Sequence, residues 1–300
     1  MHIILTGAAG IVGSHTLKYL LARGHSVDAI DIVPIAPTVL DAIPKEASER
    51  LRTHVADLVD LSKFEAIVKA AGHVDGVIHN GGIPNPLNND PRVVYNTNVT
   101  SNYNVLQTCA KYGIFRIAQA SSVNAYGMSF TPEGHKFWDE LPMNEQSPAR
   151  PEDPYATSKI ACEEQANAIC RFYNGMRIAS LRYHACWPDY ETATQCARYQ
   201  SLFGWVSLES CASAALAAIT SEGWDKHEVF NLVAPEICWE GGKDPESRFN
   251  GEMLDSLALL EANWQGRYSG VDKSWWASNP RRGFWDCTKA ERLLQWKHEG

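Results

Sequence analysis

Tyr155 and Lys159 stand four residues apart in Tyr155-Ala-Thr-Ser-Lys159, a spacing that puts both side chains on one face if the segment is helical. A tyrosine titrates near ~10 and is a poor base at neutral pH, but a cation held beside it favours the phenolate and lowers that value. A poised phenolate takes a proton from an alcohol. Ser122, just after the strand-like run Arg116-Ile-Ala-Gln-Ala120, supplies a hydroxyl that can hold the substrate oxygen while Tyr155 exchanges the proton. Together the three groups describe proton handling at a hydroxyl or carbonyl carbon, with hydride transfer left to a cofactor. A five-residue match is weak alone, so the weight falls on the elements that must position it.

Met1-His-Ile-Ile-Leu-Thr6 is a short apolar run leading into Gly7-Ala-Ala-Gly10-Ile11-Val12-Gly13, and an amphipathic segment follows from Ser14 to Ala22. Strand, glycine turn and helix in this order are the context of a dinucleotide-phosphate loop. The first glycine permits the turn, the second lets the backbone approach a pyrophosphate, and the third lets helix pack closely on strand. The free amides at Ile11 and Val12 and the helix dipole then favour negative charge. The second strand, Ser26 to Asp31, ends in a carboxylate placed to accept from a ribose 2′-hydroxyl and to repel a 2′-phosphate. With no basic residue in Ile32-Val33-Pro34, NAD is favoured over NADP.

The chain alternates strand and helix for most of its length. Residues 34–50 read as a loop with a helical turn, 52–56 as a strand ending at Asp57-Leu58, 61–71 as a helix, 76–79 as a strand and 93–112 as a long helix. Repeats of this kind imply a Rossmann-type α/β fold, a doubly wound parallel sheet. Right-handed crossovers would bring the glycine loop, Asp31, Asp57, His79-Asn-Gly81-Gly82 and Ser121-Ser122 to one strand edge.

Composition narrows the class further. A net charge of −8 argues against nucleic acid or an anionic membrane as partner. Eight scattered cysteines with no Cys-x-x-Cys pair indicate reduced thiols, with neither a disulfide framework nor a metal site. The chain starts on a core strand and has no run long enough to span a bilayer, so a cytoplasmic protein is expected. The sequon Asn98-Val-Thr100 falls in the long helix and is discounted.

The glycine loop, Asp31, Asp57-Leu58, Asn98-Val99, Ser121-Ser122 with Tyr126-Gly127, and Pro154-Tyr155-Ala-Thr-Ser-Lys159 resemble the extended short-chain dehydrogenase/reductases, or NAD-dependent epimerase/dehydratase family. The resemblance covers roughly residues 1–235. It implies that Asp57 and Leu58 flank the adenine, that the loop with His79 and Gly81 runs beneath the cofactor, and that Ser122, Tyr155 and Lys159 are catalytic. It also suggests a homodimer through the helix bearing Tyr155 and the helix at 93–112.

Departures from the family pattern bear on the reaction. Dehydratases place an acidic pair after the catalytic hydroxyl, since eliminating water needs a separate acid and base; here Val123-Asn124 stands there. In Arg182-Tyr-His-Ala-Cys-Trp-Pro188, Ala185 replaces the asparagine with which sugar-nucleotide epimerases hold their substrate. The same run, His79-Asn-Gly-Gly-Ile83 and Arg198-Tyr-Gln-Ser201-Leu-Phe203 are similar to uronate dehydrogenases. That similarity implies Arg198 as a carboxylate ligand, suited by its fork of donors, with Asn124 and His184 in the same pocket.

Beyond residue 235 the chain reads as helices at 253–263 and 288–294 among irregular Trp-rich segments. Trp275 and Trp276 suit core packing or a subunit contact better than a pocket. The expected organisation is a dinucleotide-binding unit of residues 1–183 and 228–234 and a smaller substrate unit of residues 184–227 and 235–300. The expected activity is NAD-dependent oxidation or reduction of a free sugar or sugar acid. The alternatives are a nucleotide-sugar epimerase working on retained NAD and a non-catalytic NAD-binding sensor.

Overall fold

The computed structural model describes residues 1–300. Apolar runs such as His2-Ile-Ile-Leu-Thr6 are buried on both faces, as strands of a parallel sheet covered by helices must be. The elements in order are β1 (His2–Thr6), α1 (Ile11–Ala22), β2 (Ser26–Asp31), α2 (Pro37–Leu40), α3 (Lys45–Ser48), β3 (Leu51–Val55), α4 (Leu61–Ala71), β4 (Gly76–His79), α5 (Pro91–Tyr112) and β5 (Arg116–Ser122). There follow β6 (Trp138–Leu141), α6 (Pro154–Phe172), β7 (Arg177–Tyr183), β8 (Cys186–Trp187), α7 (Tyr190–Gln195), β9 (Val206–Ser207), α8 (Leu208–Thr220) and β10 (Lys226–Leu232). The C-terminal part adds β11 (Gly242–Lys243), β12 (Asn250–Gly251), α9 (Ser256–Asn263), β13 (Tyr268–Val271) and α10 (Thr288–Leu293).

Seven strands form one parallel sheet in the order β10-β7-β5-β4-β1-β2-β3. The chain winds outward from β1 in both directions, so the order reverses between β1 and β4 and opens a crevice at their C-terminal ends. One apolar core packs α1, α8 and α10 on the sheet, and a second packs α4, α5 and α6 on the opposite face.

Helix starts are set by local chemistry. Asp60, Asp90 and Asp153 each accept backbone N–H bonds at the heads of α4, α5 and α6, and Pro91 and Pro154 occupy the first helical positions. The Asp153-Pro154 start matters most, because it phases α6 so that Tyr155, Lys159 and Glu163 all face inward.

A third core is aromatic and belongs to the C-terminal lobe, where Phe203, Trp239, Trp264, Trp276, Phe284 and Trp285 are buried together. It also recruits Tyr126, Met128, Trp138 and Met143 from the segment after β5. There β6, absent from the sequence-level expectation, pairs in parallel with β13. Trp275 and Trp276 pack on this core and donate their indole N–H groups to the Gly283 and Arg282 carbonyls at 2.8 Å each, the plainer of the two readings. The loop expected at 34–50 carries two short helices, α2 and α3. No helix is long and apolar enough to cross a membrane.

Candidate active site

At the end of β1 the chain turns at Gly7, whose φ of +69° lies in the left-handed region. A Cβ at Gly7 would fall 2.5 Å from the Asn80 backbone, and one at Gly13 would fall 1.9 Å from the Gly7 carbonyl oxygen. Only hydrogen fits at either point. Gly10 caps α1 without a side-chain bond to its amides, which leaves the first-turn N–H groups at Ile11, Val12 and Gly13 free for an anion. This loop therefore fits a dinucleotide pyrophosphate. The Gly13→Ala variant overpacks it at a cost of about 1–3 kcal/mol. The expected result is roughly ten- to hundredfold weaker NAD binding by calorimetry, and unchanged affinity with unchanged stability would refute the close-packing argument.

Asp31 ends β2 and accepts from the Ala9 N–H at 2.9 Å and from the Val33 N–H at 3.3 Å. Its carboxylate thus ties the loop to β2 and keeps lone pairs for a hydroxyl. Asp57 is exposed and closes a local turn by accepting from the Val59 N–H at 2.9 Å. Buried Leu58 lies against Gly81, where a Cβ would meet its Cδ1 at 2.7 Å.

The loop after β4 is held by residues far away in the chain. His79 Nδ1 and the Thr6 hydroxyl are hydrogen-bonded at 2.7 Å, and the Gly81 N–H donates to that hydroxyl at 3.3 Å. Asn98, buried in α5, accepts from the Ile83 N–H at 2.7 Å and donates to Ser158 on α6 at 3.0 Å. Asn98 was legible only as part of a resemblance. Its physical signal is an amide on the buried face of a helix. The acceptor asparagine of the sequon is buried, although Thr100 is exposed.

Ser122 ends β5, Tyr155 and Lys159 lie on α6, and all three are buried. Ser122 Oγ accepts from the Asn124 backbone N–H at 3.1 Å and from its amide Nδ2 at 3.2 Å, while Asn124 Oδ1 accepts from the Ser129 N–H. Asn124 thus uses both ends of its amide to hold Ser122 and the following turn. Lys159 Nζ donates to the Ala120 carbonyl at 2.9 Å and lies 5.6 Å from the Tyr155 ring centre. Phe130 meets that ring edge-on at 6.1 Å.

Electrostatics here differ from the sequence-level expectation of a lowered tyrosine. Burial pushes the Tyr155 phenol up, while the Ser122 hydroxyl beside it works the other way. Burial also holds the Lys159 ammonium below its usual range. Desolvation of each charged form outweighs what the neighbours return.

Behind the site, Ser121 donates to Glu163 Oε1 at 2.6 Å, and Arg182 grips both Glu163 oxygens at 2.9 and 2.7 Å. The guanidinium stacks 4.6 Å from the Tyr126 ring centre. Tyr126 in turn donates to Asn231 at 2.7 Å. This network, one helical turn beyond Lys159, escaped sequence reasoning because its members are far apart in the chain.

Neither His184 nor Arg198 shares a hydrogen bond or ion pair with these groups. His184 is buried edge-on to Trp285 at 4.6 Å, and its Nδ1 accepts from the Ala185 N–H. Arg198 is half-exposed and paired with Glu246 at 3.2 Å.

Burial lowers both His79 and His184 to about 3. In the unfolded chain each titrates near ~6.5, so as the pH falls below that value the unfolded state binds protons that the folded state refuses. Their stabilising contribution is fully present above the unfolded value and is lost toward about 3, at about 1.4 kcal/mol per pH unit for each histidine. A urea midpoint that drops steeply across this window is expected; a flat midpoint would contradict it.

Two curated relatives are a UDP-glucose 4-epimerase of Arabidopsis thaliana, 31% identical over 188 residues, and one of Bacillus subtilis, 27% identical over 186. The alignments cover 60% and 61% of this chain, and the chain spans about half the length of these relatives, 51% and 52%. Among solved structures, the UDP-glucose 4-epimerase of Bifidobacterium longum in complex with NAD+ and UDP superposes with a TM-score of 0.70 at 21% identity. That of Thermotoga maritima with UDP-glucose gives 0.66, also at 21%. Each superposition covers 100% of this chain and 94% of the other, and shows a shared fold. The model of the NAD dependent epimerase/dehydratase family matches residues 3–187, more than half of the sequence, and this chain belongs to that family.

Proposed function

We propose that this protein epimerises a nucleotide-linked sugar by oxidising a secondary hydroxyl and reducing the resulting ketone from the opposite face. The observation that carries the proposal is the burial of the Ser122 hydroxyl, the Tyr155 phenol and the Lys159 ammonium together at the end of β5 and the head of α6. The curated relatives, named as UDP-glucose 4-epimerases, support the substrate class, which the sequence alone ranked second to a free sugar or sugar acid.

NAD, when bound, would supply the hydride-accepting and hydride-donating chemistry. The free amides of Ile11, Val12 and Gly13 would hold its pyrophosphate, with Gly7 and Gly10 shaping the turn that lets it approach, Asp31 its adenine ribose, Asp57 and Leu58 its adenine, and the loop of His79 and Gly81 its underside. Tyr155 takes the hydroxyl proton as base and later returns it as acid, since the same group must serve both directions of a reversible oxidation. Ser122, oriented by Asn124, holds the substrate oxygen. Lys159 would hold the nicotinamide ribose and would favour the phenolate whenever the proton leaves. Residues 1–183 and 228–234 act as the cofactor unit, with the remainder as the substrate unit, and a homodimer through α5 and α6 is the assembly to be checked by light scattering.

The second reading is net oxidation of a free sugar acid. It is favoured by Ala185, which cannot supply the amide that nucleotide-sugar epimerases use. Against it, the guanidinium of Arg198 already faces a carboxylate of its own chain, Glu246, so a substrate carboxylate would have to displace that pair. Incubation with NAD and UDP-glucose, followed by chromatography, is expected to yield the epimeric nucleotide sugar with no net rise in reduced-nicotinamide absorbance. A rise of that band with a free uronate and no nucleotide-sugar conversion would replace this reading with the second.

A further inference from the structure

Two thiols meet beside the proposed acid–base tyrosine. Cys186 opens β8, three residues after β7 ends, and Cys211 lies in the first turn of α8. The scaffold that holds them is short and direct: β8 pairs with β9, Cys186 opposite Val206, and β9 runs straight into α8 through its cap Ser207. The two Sγ atoms are 3.6 Å apart. Cys186 Sγ also donates to the His184 carbonyl at 3.2 Å, and the Tyr183 hydroxyl donates to the Cys211 carbonyl at 3.3 Å. Cys211 is fully buried, whereas Cys186 is partly exposed, so an oxidant in solvent reaches one sulfur and finds the other in contact behind it. Tyr183, three residues before Cys186, stands opposite Ser122 in the β5–β7 register, which places the pair beside the candidate site.

We propose that Cys186 and Cys211 form a reversible two-electron redox pair, a modification site at which a hydroperoxide closes a disulfide between β8 and α8. The Cys186 thiolate attacks the peroxide O–O bond, which breaks to leave a sulfenic acid and release one water from hydrogen peroxide. Cys211 then attacks the sulfenyl sulfur; the S–S bond forms, the S–O bond breaks, and the departing hydroxide leaves as a second water with the Cys211 proton. Two thiols lose two electrons and two protons, and the peroxide is reduced to two waters. The sulfurs must close by roughly 1.5 Å to reach bonding distance, a change within reach of side-chain rotation and a small shift of the two-residue strand β8. A thiol next to a resolving partner goes to disulfide in preference to the irreversible sulfinic acid. All eight cysteines are free, so the prediction is selective: this pair, out of the whole set, is the one that crosslinks.

The test uses the full folded chain and hydrogen peroxide in small excess, with alkylation under denaturing conditions and peptide mapping without reductant. The expected result is a dominant crosslinked peptide pair containing Cys186 and Cys211, released by dithiothreitol. The oxidised protein should also melt higher than the reduced one, because the crosslink constrains the unfolded chain. In the Cys211→Ser variant the crosslink is absent and Cys186 proceeds to sulfinic acid. Phenylarsine oxide, which bridges adjacent thiols, should protect both cysteines from alkylation in the reduced wild type and should leave Cys186 open to alkylation in the variant. Recovery of Cys186 and Cys211 as unlinked residues after peroxide, or crosslinks scattered among the other cysteines, would overturn the proposal. If Cys211→Ser does not fold, the wild-type map and the arsenical protection decide it without the variant.

Discussion

The Tyr155→Phe variant is expected to lose roughly a thousandfold in kcat, within the ~10²–10⁴ range of a positioned proton-transfer group, or about 4 kcal/mol of transition-state stabilisation. The ring itself is retained, still edge-on to Phe130 at 6.1 Å in its buried slot, so the fold has no reason to change. NAD affinity should shift by no more than about tenfold, since one neutral hydrogen bond contributes about 1 kcal/mol. Loss of kcat with NAD binding preserved is therefore the signature of an acid–base group. A variant that keeps turnover within tenfold would sink the assignment, and one that behaves as wild type in every assay would instead support a non-catalytic NAD sensor.

A pH profile sharpens the same prediction. Burial raises the phenol above its usual value, so the phenolate fraction below that value grows tenfold with each pH unit. Where proton abstraction limits turnover, the wild-type rate should climb through neutral pH into the alkaline range. The residual rate of Tyr155→Phe should lack that slope.

Removing Glu163 should be the most destabilising single change behind the site. Arg182 and Glu163 are only 5% and 7% exposed and bond in a two-pronged geometry. The Glu163→Ala variant leaves the guanidinium buried without its counter-charge, at a cost of about 3–5 kcal/mol. It also frees the Ser121 hydroxyl that Glu163 holds, one residue from Ser122. A urea titration should show the loss directly. Replacing both charges, as in Glu163→Leu with Arg182→Met, should recover much of it, because an apolar pair of similar volume has no desolvated charge to compensate. A Glu163→Ala midpoint close to wild type would show that water reaches Arg182 and that the pair is not the buried anchor described above.

What the sequence alone determined follows from short-range physics. The strand–glycine–helix opening, the Asp31 strand end and the Tyr155/Lys159 helix face were legible because each depends on residues within a turn or two of one another. Hydrophobic period, glycine spacing and the i, i+4 relation act over that range. The parallel sheet was legible too, since alternating strands and helices have few right-handed ways to pack.

The tertiary structure decided what depends on residues brought together from a distance. Thr6 reaches His79, Asn98 reaches Ser158, and Glu163 joins Ser121 to Arg182; none of these pairs leaves a local trace, because a polar side chain's partner is chosen by the packing of whole elements. Strand β6 owes its existence to β13, some 130 residues later, and the aromatic core takes in Tyr126 and Trp138 from the segment after β5. The direction of the Tyr155 shift was settled the same way. Sequence showed the cation nearby, but burial comes from every element around the ring, and here desolvation outweighs the neighbouring groups.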